Sequence, residues 1–186
     1  MTGTTAGRRY VALLRAINLG ARNRVPMARL REVCEQAGCT DVKTYIASGN
    51  VVLSSTASAA ELRRKLEAAI EAEFGITIVV VVLTAHELSQ VVERNPFKSA
   101  DPATIHVAFA SGDLDAEAKK RFGARQANPD SEVDAAAVVG RQIYLRLPHG
   151  FGGASLPGIA ISKVQPPVTI RTWRTVTKLH ELVAAD

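Results

Sequence analysis

Apolar residues recur along the chain with two periods, near two and near 3.6, and each change of period marks a new element. Arg9 to Ile17 is a nearly unbroken apolar run and reads as a strand. Beyond Pro26, the residues Met27, Leu30, Cys34 and Ala37 recur at helical spacing until Gly38, which predicts a helix opened by proline and stopped by glycine. Asp41 to Ala47 and Val51 to Ser54 predict a hairpin whose turn, Ser48-Gly49-Asn50, uses residues that tolerate positive φ. Ser58 to Phe74 sets Leu62, Leu66, Ile70 and Phe74 on one helix face, with Gly75 as the stop. Ile76 to Leu83, broken only by Thr77, predicts a strand buried on both faces, and Thr84 caps a helix carrying Leu88, Val91 and Val92. Asn95-Pro96-Phe97 ends that helix and starts a linker to Pro102.

The same order then repeats. Strand Thr104 to Ala110, helix Leu114 to Phe122, strands Val133 to Val139 and Gln142 to Leu147 around a Gly140-Arg141 turn, strand Val168 to Thr172 and helix Thr175 to Ala184 follow one another. Short matches support a duplication: Tyr10-Val11-Ala12-Leu13 with His106-Val107-Ala108-Phe109, Ile76-Thr77-Ile78 with Val168-Thr169-Ile170, and His86-Glu87-Leu88 with His180-Glu181-Leu182. The expected fold is mixed α/β (α+β), a duplication of two ferredoxin-like βαββαβ units with mainly antiparallel sheets, each followed by an extra helix. The units are set at residues 1–98 and 99–186. Glycines with Pro148 and Pro157 leave little room for a long helix in the crossover from Gly150 to Lys163.

At 186 residues, 47% hydrophobic and 22% charged, the chain is long enough to bury a real core, and its composition excludes disordered and collagen-like classes. The longest apolar run is far shorter than the ~20 residues of a spanning helix, so no membrane partner is expected. No secretory core precedes Arg8 and Arg9, which makes the cytoplasm the expected location. Cys34 and Cys39 supply too few ligands for a structural zinc site and are expected as reduced, partly buried thiols. No metal and no cofactor are expected.

Charge is distributed more tellingly than its total. From Met1 to Arg31 there are seven basic residues and no acidic one, and from Ala135 to His180 six basic and again no acid, inside a chain of net charge +5. Two such stretches could build an electropositive surface.

Sharp catalytic motifs are missing. His86-Glu87 and His180-Glu181 are followed by Gln90 and Ala184 where a zinc-protease helix needs a second histidine. Gly150-Phe151-Gly152-Gly153 follows a hairpin strand, which is the wrong setting for a dinucleotide loop. Two places are more informative. The loop Asn18 to Pro26 holds Asn18, Arg22 and Arg24 between a strand end and a helix N-terminus, where free N–H groups attract anions, and Arg15 lies on the strand face of Val11 and Leu13. The second is Trp173, Arg174, Thr175 and Lys178 at the last strand-to-helix junction, with Thr175 expected as N-cap and cations placed where the helix dipole favours an anion.

Arg15-Ala16-Ile17-Asn18-Leu19-Gly20, Val25-Pro26-Met27, Thr44-Tyr45, Ser48-Gly49-Asn50-Val51, Asn95-Pro96-Phe97 and Trp173 with Thr175-Val176-Thr177-Lys178-Leu179 resemble the bacterial domain-of-unknown-function family 1697. The resemblance implies a two-part α/β fold of ferredoxin-like halves and carries no activity with it. Its polar positions, Arg15, Asn18, Ser48, Asn50, Thr175 and Lys178, all fall at strand ends or turns, where sites are built on such scaffolds.

The leading functional expectation is a cytoplasmic protein that binds a phosphate-bearing ligand, a nucleotide or nucleic acid, through Arg15, Asn18, Arg22, Arg24, Ser48, Asn50, Trp173, Arg174, Thr175 and Lys178, with the two basic segments facing one cleft. An RNA-reading sheet would need exposed aromatics on its first and third strands, where only Tyr10 is available. The alternatives are an enzyme acting on a small anionic metabolite and a protein-interaction module that pairs through a sheet edge. The oligomeric state stays open.

Overall fold

The computed structural model of the chain describes residues 7–20, 23–123, 133–153 and 161–185. The first half runs β1 (Arg8–Leu14), α1 (Met27–Gln36), β2 (Thr40–Tyr45), β3 (Asn50–Ser55), α2 (Ala59–Phe74), β4 (Val80–Thr84) and α3 (Ala85–Glu93). The second runs β5 (Ile105–Ala110), α4 (Ala116–Gly123), β6 (Ala135–Val139), β7 (Gln142–Arg146), the short α5 (Gly150–Gly153), β8 (Val168–Thr172) and α6 (Trp173–Ala184). The strands form two four-stranded sheets, β2-β3-β1-β4 and β6-β7-β5-β8, antiparallel at every pairing. Each half is a ferredoxin-like βαββαβ unit with a helix after it, as the periodicity predicted. Where α2 has 16 residues, the described part of the second crossover holds only α5 and one 3-10 turn, Ile161–Lys163.

The sheet register decides which sequence matches are structural. Tyr10 pairs with Leu53 and Thr84, and His106 with Leu145 and Thr172, so the Tyr10 and His106 segments are equivalent. The same register equates Thr84 with Thr172 and therefore Val80, not Ile76, with Val168. His86-Glu87-Leu88 then falls on Arg174-Thr175-Val176 rather than on His180-Glu181-Leu182. The predicted strand Ile76 to Leu83 is likewise corrected to Val80–Thr84, because the residues that pair with β1 set its ends, from Leu14↔Val80 to Tyr10↔Thr84.

Alternation in β1 sends Tyr10, Ala12 and Leu14 into a core with Leu30, Val33 and Cys34 of α1 and Leu62, Leu66 and Ile70 of α2. The second core gathers Ala108, Leu114, Phe122, Ile143, Leu145 and Val168. Burying each large aliphatic side chain is worth about 1.5–3 kcal/mol. Val11, Leu13, Val52, Val81 and Leu83 on the opposite face of the first sheet are buried too, as are Val107, Phe109 and Tyr144 in the second. Two buried faces explain why these strands read as continuous apolar runs.

Helix ends follow their local chemistry. At the end of α1, the Gly38 amide donates to Glu35 at 2.9 Å and the Cys39 amide to Cys34 at 3.1 Å, with Gly38 at φ +88°. This is a Schellman closure, in which residues in the positions of Cys34 and Cys39 supply the accompanying apolar contact. Both thiols are free and buried, and burial pushes Cys34 up to about 12 and Cys39 upward. At α3 the Glu87 amide donates to Thr84 Oγ1 at 3.1 Å, and the Thr84 amide to Glu87 Oε2 at 2.8 Å, a reciprocal capping box. Helix α6 starts at Trp173, two residues earlier than predicted. The hydroxyl at its N-terminus is therefore that of Thr172, 3.4 Å from the Thr175 amide, and Thr175 lies inside the first turn rather than at the cap.

The chain divides into two compact units, Met1–Ser89 with Leu179–Asp186, and Gln90–Lys178, so the divisions fall inside α3 and inside α6. Within the first unit, Arg9 donates to the carbonyls of Leu182 at 3.0 Å and Ala185 at 3.1 Å, closing the C-terminus of α6 with a cation. Within the second, the buried Tyr144 hydroxyl donates to Val91 O at 2.8 Å, and burial holds the phenol above its usual range. Among the described residues, no helix is long and apolar enough to cross a membrane.

Candidate functional site

At the C-terminal end of β1 the chain makes the turns that gather the first group of candidates. The Asn18 side chain donates to Val25 O at 3.0 Å and Ala47 O at 2.8 Å, and its Oδ1 accepts from the Val25 amide at 2.8 Å. One amide thus clamps the loop after β1 both to its own far side and to the β2–β3 hairpin. Asn23 donates to Ala16 O at 3.0 Å, and the Leu14 amide to Gly49 O at 2.8 Å. The buried Asn50 donates to Tyr45 O at 3.0 Å and to Ser48 Oγ at 2.9 Å. Asn18, Ser48 and Asn50 come together here, and these hydrogen bonds brace the loops.

These two loops concentrate unusual backbone. Ala16, Asn18, Gly20, Asn23, Ile46 and Gly49 all lie at positive φ, between 49° and 81°. Asparagine and glycine accept this conformation readily, whereas Ile46, β-branched at φ +49°, is strained. Gly49 is required sterically as well: a Cβ there would lie 2.8 Å from Leu14 Cβ and 2.9 Å from Ile17 Cδ1.

Between the loops opens a pocket of about 350 Å³ lined by Asn18, Gly20, Arg24, Val25, Pro26, Met27 and Ala47. Helix α1 begins at its wall. Pro26 at the N-cap offers no side-chain acceptor, and the first turn contains no acid. The first helical hydrogen bond is Leu30 to Pro26 O at 2.9 Å, so the amides of Met27, Ala28 and Arg29 precede the ladder and present the positive end of the helix. Arg24 is exposed, Arg15 at the end of β1 is half-buried, and Arg22 lies outside the described residues.

The structure also sorts the basic stretches. Arg29 makes a bidentate pair with Glu73, at 2.6 and 2.7 Å, which holds the Glu73 carboxyl below its ordinary range, and a third bond to Glu32 at 2.5 Å. Arg31 donates to Thr44 Oγ1 at 2.8 Å, and Arg9 serves the α6 terminus. Arg146 and Arg171 are buried. Arg171 donates to Thr169 Oγ1 at 2.8 Å and Ile170 O at 2.9 Å, and desolvation lowers its guanidinium to about 10. Counting charges along the sequence therefore overstates the positive surface left for a ligand.

The second group sits on the first turns of α6. Trp173 and Lys178 are half-buried, Arg174 is exposed and Thr175 is buried, with its hydroxyl 3.0 Å from that of Thr172. Here the chain's own hydroxyls occupy the helix terminus. Tyr10, the one aromatic on β1 and β3, is fully buried and donates to Ala57 O at 2.8 Å, so these two strands offer no platform of the RNA-reading kind. Among the described residues no group of three or more His, Cys, Asp or Glu is placed to hold a metal ion. Sequence reasoning missed Leu19, Ile46, Ala47 and Met27, because neither a strained backbone nor a pocket wall has a local signature in apolar residues.

Comparison with known proteins matches residues 8–144 to the model of a family described as protein of unknown function (DUF1697). A conserved bacterial protein from Streptococcus pneumoniae has a similar solved structure, with a TM-score of 0.77, 24% identity, and 95% of this chain and 98% of that one covered. At that identity the likeness extends to the fold. No curated protein matches.

Proposed function

Because the chain belongs to the family of proteins of unknown function DUF1697, whose name assigns no chemistry, we propose its function from the site itself: the protein binds a small phosphate-bearing ligand, a nucleotide or related monoester, in the pocket between the β1–α1 loop and the β2–β3 hairpin. One observation carries this reading. A pocket of about 350 Å³ opens where α1 begins with neither a capping side chain nor an acid in its first turn. An anion there would accept from the leading amides of α1 and pair with Arg24, while Asn18 holds the two walls at a fixed separation. Arg15 adds positive potential from the end of β1. The size suits a small molecule better than a polymer. We place the protein in the cytoplasm on the same reading, since nucleotides and sugar phosphates are cytoplasmic ligands.

Calorimetric titration with inorganic phosphate and nucleoside monophosphates tests this directly. Binding is expected to weaken at least tenfold in Arg24→Ala, which removes a charge-assisted bond. The α6 group serves as the control: Arg174→Ala should leave the Kd within twofold. No binding of any phosphate compound to the parent at low salt would dismiss the proposal.

A further inference from the structure

Two exposed side chains that the phosphate reading does not use are chain neighbours of the residues lining the pocket. Four large hydrophobic residues among those described are exposed, and two of them adjoin the pocket's lining along the chain: Leu19, 67% exposed, between the lining residues Asn18 and Gly20, and Ile46, 52% exposed, next to Ala47. They stand on separate loops that the Asn18 clamp ties together through Ala47 O. The pocket lining includes the apolar residues Val25, Pro26, Met27 and Ala47. Neither loop contains an acidic residue from Arg15 to Pro26 or from Tyr45 to Asn50.

Ile46 is the informative member. A β-branched residue at φ +49° is a backbone outlier, and asparagine or glycine would sit there without strain. The residue is half exposed, so core packing gives little reason for an isoleucine at this position. Backbone strain retained at a pocket rim belongs with binding rather than with stability. An exposed aliphatic pair beside a cationic, acid-free pocket matches a ligand with an anionic head and an uncharged apolar body.

Resting on the anion site proposed above, we infer that the ligand is a phosphate monoester carrying an apolar group, which lies against Leu19 and Ile46 while its phosphate meets Arg24 and the start of α1. The specificity-determining residues are then Leu19 and Ile46, and the clamp sets the distance between head and body.

An alkyl phosphate series separates the two readings. Inorganic phosphate and methyl, propyl and hexyl phosphate are titrated into the parent, Leu19→Ser and Ile46→Asn. In the parent, affinity should rise about two- to fourfold for each methylene that reaches the rim. In both variants methyl phosphate should bind within twofold of the parent while the gain per methylene falls below about 1.5-fold. Ile46→Asn should melt no lower than the parent, because asparagine relieves the strain, so lost selectivity cannot be ascribed to unfolding. If inorganic phosphate binds but chain length has no effect, or has the same effect in all three proteins, the inference fails and the anion site stands. Failure of every phosphate compound to bind removes the anion site itself. Tighter binding to anionic phospholipid vesicles than to hexyl phosphate would reassign the rim to a membrane surface and overturn the small-ligand assignment.

Discussion

Replacing Asn18 tests whether one side chain holds the site together. In Asn18→Gly the left-handed backbone at φ +53° is kept, but the bonds to Val25 O, to Ala47 O and from the Val25 amide are lost. A typical hydrogen bond contributes about 0.5–1.5 kcal/mol net, which puts the three together at about 3 kcal/mol. For a chain of this size that corresponds to a fall in Tm of about 6–12 °C. Asn18→Ala should cost about 1–2 kcal/mol more, since alanine pays for the left-handed conformation that glycine accepts. Urea titrations with circular dichroism would give both values. The same variants should bind phosphate more weakly than the parent, because the start of α1 and the hairpin would no longer be tied. If Asn18→Gly lies within about 0.5 kcal/mol of the parent, water has replaced the clamp at no cost and its assigned role is wrong.

Three further substitutions separate backbone from steric effects and neutral from ionised thiols. Gly49→Ala and Gly75→Ala both force alanine to positive φ, but only at Gly49 would the Cβ collide, so thermal melts should place Gly49→Ala about 1–3 kcal/mol below Gly75→Ala; equal losses would show that Leu14 and Ile17 yield freely. Burial raises Cys34 from 9.0 to about 12, so the stability it contributes as a neutral thiol is complete below pH 9 and declines as pH rises toward 12. Stability of Cys34→Ala against pH should decline less steeply over that window, and an unchanged slope would mean that the thiol is not buried in solution.

The fold was legible because hydrophobic period is a local property: β1, the hairpin, α2 and β8 are readable from a few residues each. The start of β4 was not, since Ile76 and Ile78 are as apolar as Val80, and only pairing across to Leu14 selects the latter. The site was half legible. Asn18, Ser48 and Asn50 stand out as turn chemistry, but whether such a group recognises a ligand or a carbonyl of its own chain depends on loops distant in sequence. Ile46 carries no signal, because nothing in an isoleucine announces a left-handed backbone. The basic stretches misled for a related reason: Arg29 meets Glu73 from α2, and Arg171 is buried, neither of which a count of charges along the chain reveals.

The division of the chain inside α3 and α6 bears on how such a gene can change. A fragment ending after the first βαββαβ repeat would contain four strands and two crossover helices, yet lack Leu179–Asp186, and Arg9 would face water in place of the carbonyls of Leu182 and Ala185. The repeat is a topological unit without being a unit of inheritance by itself: recombination that exchanged one half for a homologue's would have to match the last turns of the other half as well. Variation is freer where it leaves both helices whole, in the connections between strands, which is also where the candidate site lies.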